Sequence, residues 1–348
     1  MAQGLRKTMN LYVLMHRSFA PRYRIPQFIP FLRARGIETD LVRLPAGLVG
    51  RWSRFTRADR YDAVLLERRL IQPWELGLLR RRSRRLVFDF DDAIMYRSSR
   101  WGKPESGSRM GKFRRIVESC DMVFAGNSFL REVAMRFTTG DRVFVIPTVV
   151  DLSRYAVREY GESAGEVTIG WIGSSGTIQY LQGILPALEE VARKKPRVSL
   201  KIVCDRFLDS PSIRIVKKSW AEDQEVGDLQ SFDIGIMPLT DDPWAQGKCG
   251  LKIVQYLAVG VPVVCSPVGM NRDIVRDGSN GFWAKTNREW VEKLCTLAED
   301  PGLREKMGLE GRRIVEGGYS LQAVGERLVR LLDGLVKDKS HPGPIPRG

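Results

Sequence analysis

Residues 248–282 read KCGLKIVQYLAVGVPVVCSPVGMNRDIVRDGSNGF and gather cations, an amide and glycines around one helix-to-strand turn. Lys248, Lys252, Gln255 and Ser266 supply the polar groups, and glycines 247, 250, 260 and 269 let backbone come close to a ligand. Helix N-termini attract phosphate, so a helix opening near Leu251 suits an anion. A second such place is GWIGSSGT (170–177), a glycine turn between an apolar run and a helical pattern. There Gly173, Ser174 and Ser175 could cradle a phosphate, although the same spacing fits an ordinary strand-to-helix turn. In the first half, Asp89, Asp91 and Asp92 close an apolar run. Carboxylates so spaced can hold a metal, orient an acceptor hydroxyl as a base, or cap a turn and join a buried salt bridge. His16, one of only two histidines, sits with Arg17, Arg22 and Arg24 in MHRSFAPRYR, where the guanidinium groups suit a phosphate on an acceptor.

Strands and helices must alternate to bring these groups to one edge. Residues 11–15, 39–44, 63–67, 86–90, 122–125 and 143–147 read as short apolar strands. Between them lie an amphipathic helix ended by Gly36, a helix over 73–85 opened by Pro73, a Gly/Ser loop over 98–111, and helices over 112–119 and 128–137. A polar stretch, 151–166, reads as a linker, after which the pattern restarts. VTIGWIG, VSLKIVC, FDIGIMPL and VPVVCS are strands, and 180–195 reads as one helix. The helix over 251–258, ended by Gly260, feeds the buried run 261–265. This is the α/β signature of parallel sheets, arranged as two tandem domains.

Size and charge fit that organisation. A chain of 348 residues suits two domains. No apolar run approaches the ~18 residues of a membrane span. Five scattered cysteines without C-x-x-C spacing suggest neither a disulfide framework nor a zinc site, which points to a reducing cytosol. The net charge of +15 lies in the first half, where residues 1–160 hold 31 Lys and Arg against 16 Asp and Glu. Residues 161–348 hold 25 of each. Such asymmetry suggests an anionic partner: nucleic acid, an anionic membrane surface or a phosphate-bearing lipid, unless it is simply a solvated basic face.

The stretch 248–282 resembles the donor-nucleotide site of GT4-type retaining glycosyltransferases of the GT-B fold, the glycosyl transferases group 1. Segments similar to that family also occur in order at VFDFDDAIMY (87–96), AGNSFLREVA (125–134), VIPTVVDLSRY (145–155), VGMNRDIVRDGSNGFW (268–283) and GYSLQAVGERLVRLL (318–332). The resemblance implies two Rossmann-like doubly wound domains facing a cleft. Residues 1–160 would bind an acceptor and 161–337 a nucleotide-diphosphate sugar, with the C-terminal helix crossing back to the first domain and 338–348 a disordered tail. It implies sugar transfer with retention, needing no metal or other cofactor, to a glycan or lipid-linked acceptor of cell-envelope polysaccharide synthesis. The protein would be cytoplasmic and peripheral on the inner face of the membrane, with nucleic acid not its partner. Asp91, Asp92 and His16 would then serve catalysis, and Gly173, Ser174, Ser175, Lys248, Lys252 and Gln255 the donor. The sequence departs from the family in four places. Trp171 stands where an arginine is usual, and no lysine follows within 172–193, which leaves Lys248 and Lys252 to meet the diphosphate. Gly247 and Gln255 stand at the paired glutamates; Gln255 can still bond a ribose hydroxyl through its amide. The D-x-D pattern is also similar to metal sites of GT-A glycosyltransferases and haloacid-dehalogenase-like phosphatases, folds without the paired-domain pattern. A nucleotide-sugar epimerase of the same fold and a non-catalytic basic binding protein are the competing functions.

Overall fold

The computed structural model of the protein describes residues 9–15, 23–99, 102–161 and 165–337. The expected positions His16, Arg17 and Arg22, and the tail 338–348, lie outside the described residues. The chain divides into two compact units, each built on a six-stranded parallel sheet.

The first unit holds residues up to Val149 together with Asp242–Cys249 and the chain from Leu321 onward. Its strands are β1 (Met9–Met15), β2 (Ile37–Arg43), β3 (Ala63–Glu67), β4 (Leu86–Phe90), β5 (Met122–Ala125) and β6 (Val143–Val145), in the order β2-β1-β3-β4-β5-β6. Every residue of β3 and β4 is buried, as a parallel sheet covered on both faces requires. The C-terminal helix, Leu321–Lys337, crosses back to this unit as expected. Its Val324, Leu328, Leu332 and Leu335 pack with Met9, Leu11, Val13, Phe28 and Leu32. Full burial of a leucine such as Leu328 or Leu332 contributes roughly 1.5–3 kcal/mol. Arg85 Nε donates to Leu335 O at 3.0 Å and so fixes the end of that helix.

The second unit holds Val150–Asp241 and Gly250–Ser320. Its strands are β7 (Val167–Ile172), β8 (Val198–Val203), β9 (Arg214–Lys218), β10 (Ile234–Met237), β11 (Val263–Cys265) and β12 (Gly281–Trp283), in the order β9-β8-β7-β10-β11-β12. Counted within the unit this is 3-2-1-4-5-6, the Rossmann order, whose ligand crevice opens at the carboxyl ends of the strands where the order reverses. Here that point lies between β7 and β10.

Several boundaries differ from those read in the sequence, three of them by more than the fraying of an element's end. The first unit ends at Val149 rather than 160, because Val150 and Tyr155 enter the second unit's core. The helix read as 112–119 begins earlier, at Gly107, with the Ser106 hydroxyl accepting the Arg109 N–H as its cap. The single helix over 180–195 is two, Ile178–Gly183 and Leu185–Lys194, and a proline opens the second.

Candidate functional site

In the first unit the polar groups collect at the carboxyl ends of β3 and β4, beside the β1/β3 switch point. Parallel register sets Glu67 opposite Asp89. Arg68 continues β3 at φ +49°, a left-handed conformation rarely adopted by a residue with a side chain. Its N–H donates to Asp89 O at 2.8 Å, and its Nη1 donates to both carboxylate oxygens of Asp91, at 2.8 and 3.1 Å. Non-glycine strain of this sort concentrates where a site fixes a side chain.

Each of the three aspartates pairs with a cation. Arg24 Nε donates to both oxygens of Asp89, its Nη2 adds a third bond at 2.5 Å, and Nη1 donates to Ile146 O. Both side chains are almost wholly buried, at 1% and 0% exposed. Burial works against Arg24's charge, but Asp89 outweighs it and raises the guanidinium pKa. The expectation that Arg24 binds an acceptor phosphate is corrected here, because its charge is turned inward onto Asp89. Asp89 is accordingly the fully buried member of the cluster. Asp91 and Asp92 lie nearer the surface, and Lys248 Nζ donates to Asp92 Oδ1 at 2.7 Å.

Lys248 belongs to the first unit, whereas the sequence reading set it with the donor site of the second. Its segment is seated by several bonds. Ser99 Oγ donates to Asp242 Oδ1 at 3.0 Å, and Asn127 Nδ2 donates to the carbonyls of Gln246 and Lys248, each at 3.1 Å. Cys249 Sγ donates to Asp91 O at 3.1 Å. Gly247, at the first family glutamate, lies against Ala93 so closely that a Cβ would fall 2.4 Å from the alanine methyl. No side chain fits there without movement.

Glu67 is the residue that sequence reasoning missed. It is 3% exposed, and its Oε2 has no hydrogen-bond partner among the described residues. Burial first, then the neighbouring Asp89 and Asp91, push its carboxyl up to about 8 against the opposing pull of Arg68 and Arg24. The available signal was a glutamate ending a wholly apolar strand.

In the second unit the turn after β7 is held by its own atoms. Gly173 N–H donates to Val203 O at 3.0 Å, Ser174 N–H to Thr177 Oγ1 at 3.3 Å, and Thr177 N–H to Ser174 O at 2.8 Å. Ser175 donates its N–H and hydroxyl to the two oxygens of Asp205, at 2.6 and 2.8 Å, and these bonds lower the aspartate's pKa. The amides of Gly173, Ser174 and Ser175 are therefore engaged within the protein, which corrects the picture of a ready phosphate cradle. Among the described residues, Gly176 is the loop position whose N–H makes no hydrogen bond.

Lys252 does reach this turn. The helix Leu251–Ala258 starts after Gly250, at φ +66°, and carries Lys252 Nζ to 3.4 Å from Thr177 Oγ1. The ammonium also covers the ring of Trp171 at 5.1 Å. Trp171 is 1% exposed and lies under Gly173, where a Cβ would come 2.4 Å from its ring. Where the resembled family carries an arginine, this chain has a buried ring with a lysine over it. Gln255, expected at a ribose, faces inward instead. Its Nε2 donates to Tyr155 OH at 3.2 Å, that hydroxyl donates to Glu225 Oε1 at 3.1 Å, and Trp220 Nε1 donates to Glu225 Oε2 at 2.9 Å. Among the described residues no group of three or more His, Cys, Asp or Glu side chains is arranged to hold a metal ion.

Comparison with known proteins places this geometry. Residues 228–314 match the family model of glycosyl transferases group 1. The chain is 23% identical to D-inositol 3-phosphate glycosyltransferase of Kineococcus radiotolerans, over 70% of this chain and 64% of that protein. It is 26% identical to TuaH of Bacillus subtilis, which is named as a teichuronic acid biosynthesis glycosyltransferase, over 51% of each chain. The chain thus spans between about half and two thirds of the length of these curated relatives. Among solved structures, Anabaena HepE, described in complex with UDP and glucose, superposes with a TM-score of 0.69 at 14% identity, covering 94% of this chain and all of that one. The fold is therefore GT-B, and residues 228–314 are similar to the glycosyl transferases group 1.

Proposed function

We propose that the protein is a retaining glycosyltransferase that moves a sugar from a nucleotide-diphosphate sugar to a glycan or lipid-linked acceptor in cell-envelope polysaccharide synthesis. The observation that carries this reading is Lys252. Within the family segment, it sets an ammonium beside the glycine turn at the switch point of a Rossmann-ordered sheet. Departure of a nucleoside diphosphate develops negative charge on the leaving oxygen, and a fixed cation stabilises that charge most where water is excluded. Lys252 and the Gly176 N–H would meet the diphosphate. HepE's description with UDP and glucose makes a uridine diphosphate sugar the first donor to test, and the name of TuaH supports an envelope acceptor.

Acceptor binding is assigned to the carboxyl edge of the first unit's sheet. There Asp91 and Asp92, held by Arg68 and Lys248, would orient the acceptor hydroxyl. His16, Arg17 and Arg22 follow β1 in the sequence and belong to the same acceptor reading. Among the described residues no helix is long and apolar enough to cross a membrane, and we place the enzyme in the cytoplasm, peripheral to the membrane's inner face.

The direct test is a thermal-shift screen of nucleotide sugars, followed by measurement of nucleoside diphosphate release. A donor should raise the melting temperature, since a ligand that binds the folded state stabilises it. Absence of any shift with every nucleotide sugar and nucleoside diphosphate would refute the reading.

A further inference from the structure

Of the seven large apolar side chains exposed among the described residues, four fall within residues 48–74, so the exposure is local rather than scattered. Leu48 is 55% exposed, Val49 83%, Trp52 54% and Trp74 50%. The first three lie on the helix Leu48–Phe55 at positions i, i+1 and i+4, which puts them on one outward face. Phe55, the last residue of the helix, is fully buried and anchors its C-terminal end. Trp74 belongs to the helix Pro73–Arg82. The two helices are joined by Arg51 Nε and Glu75 Oε1 at 2.6 Å, and Trp52 and Trp74 are the sequence neighbours of those two residues.

The segment that carries this face is one-sided in charge. Residues 43–84 contain eleven arginines, no lysine and four acidic residues. Glu75, Asp59 and Asp62 are already paired, with Arg51, Arg82 and Arg84, and Glu67 is buried. Arg43, Arg57, Arg60 and Arg81 are exposed, and among the described residues no carboxylate pairs with them. Apolar patches of this kind mark interaction surfaces, and this one has a definite chemistry. Tryptophan and arginine partition to the boundary between headgroup and hydrocarbon, while Leu48 and Val49 gain from hydrocarbon itself. A nucleic acid would use the arginines but offers nothing to two protruding aliphatic side chains.

We propose that the face formed by Leu48, Val49, Trp52 and Trp74, with the arginines around it, docks the protein on an anionic lipid bilayer. The helix lies in the plane of the interface with its outward residues among the acyl chains, and the arginines meet lipid phosphates. This rests on the membrane-peripheral part of the proposed function and not on its transferase part.

Vesicle co-sedimentation of the full chain tests it, with phosphatidylcholine alone compared with an about 7:3 mixture of phosphatidylcholine and phosphatidylglycerol. The protein should bind the mixture, release it at high salt, and show a blue shift of tryptophan emission on binding. Leu48→Ser/Val49→Ser/Trp52→Ser, all on exposed positions, should keep its melting temperature and lose about tenfold or more in partitioning. Arg57→Ser/Arg60→Ser should bind more weakly and with less dependence on salt. The proposal is overturned if the wild-type chain ignores the anionic vesicles, or if the triple-serine variant binds them equally well. It is equally overturned if the chain fails to bind vesicles but forms a dimer, or an RNA complex, that the triple variant abolishes. Donor turnover with a water-soluble acceptor, run in parallel, reports on the transferase reading separately, and the triple variant should leave it unchanged.

Discussion

Replacing Glu67 by glutamine should change how stability depends on pH, in a direction set by where this carboxyl sits. The side chain ends a buried strand, faces Asp89 in register, and lies near Asp91, Arg68 and Arg24. Its carboxyl is pushed from 4.5 to about 8 by burial and then by the two aspartates. The native protein therefore keeps this proton up to about pH 8, whereas the unfolded chain gives it up near 4.5. With more protons bound in the native state, stability falls as pH rises, by ~1.4 kcal/mol per unit across that window. The contribution is fully present below pH 4.5 and lost as pH climbs through about 8, a total of roughly 5 kcal/mol. Glu67→Gln keeps the shape and does not titrate. The glutamine amide also lacks a ready partner, which adds an offset that does not vary with pH. Urea unfolding of both proteins from about pH 5 to about pH 9 should show the variant gaining on wild type by ~1.4 kcal/mol per unit and levelling off above about 8. Other carboxylates titrate in both proteins and cancel in the difference. Parallel stability curves across the whole range would refute the placement of this carboxyl as a buried, protonated group.

Four further outcomes follow from named contacts. Lys252→Ala should weaken UDP binding by roughly 1.5–3 kcal/mol in calorimetry, the worth of a hydrogen bond to a charged group, and an unchanged affinity would remove Lys252 from the donor site. Arg24→Met strands Asp89 in the core and should cost about 3–5 kcal/mol of stability; Arg24→Met/Asp89→Leu should recover much of it, and a neutral single variant would deny the buried pair. Asp92→Asn should lower turnover while leaving UDP affinity and melting temperature intact, whereas a lower melting temperature with normal specific activity would make Asp92 a scaffold residue. Gly247→Glu, which writes back the family glutamate, should destabilise by about 1–3 kcal/mol through its clash with Ala93, and a gain in activity at undiminished stability would contradict that packing.

The architecture was legible because apolar runs in a parallel sheet are short, β-branched and bounded by glycine or polar turns. The runs at 63–67, 86–90 and 122–125 are strands in the structure with those same limits. What escaped were elements without such a run. β9 reads RIVKK and is mostly exposed, so it carries no core signal. The helix Leu48–Phe55 turns its apolar face outward, and its sequence, LVGRWSRF, gives no inward stripe to find. That outward face is also the surface assigned here to a bilayer, and the two facts have one cause. A helix whose greasy residues point away from the core breaks the pattern by which helices are recognised.

The site is harder to read than the fold because neighbours along the chain need not be neighbours in space. Lys248 and Lys252 are one helical turn apart in sequence, and a family pattern with missing cations invited both into the same role. Between them stands Gly250, at φ +66°, and the chain changes units there. Lys248 goes with the first unit and neutralises Asp92; Lys252 goes with the second and reaches the glycine turn. The replacements at Trp171 and Gly247 fit the same reasoning. A buried indole under Gly173 leaves no space for a guanidinium at that strand end, so the cation must come from the helix opposite, which supplies Lys252. At Gly247 the contact with Ala93 excludes any side chain, so the glutamate's absence is enforced by packing within the first unit rather than left open. The departure at Trp171 is answered by Lys252 and that at Gly247 is set by packing, and the donor screen and the Lys252→Ala titration are the measurements that separate a working transferase from an inactive relative.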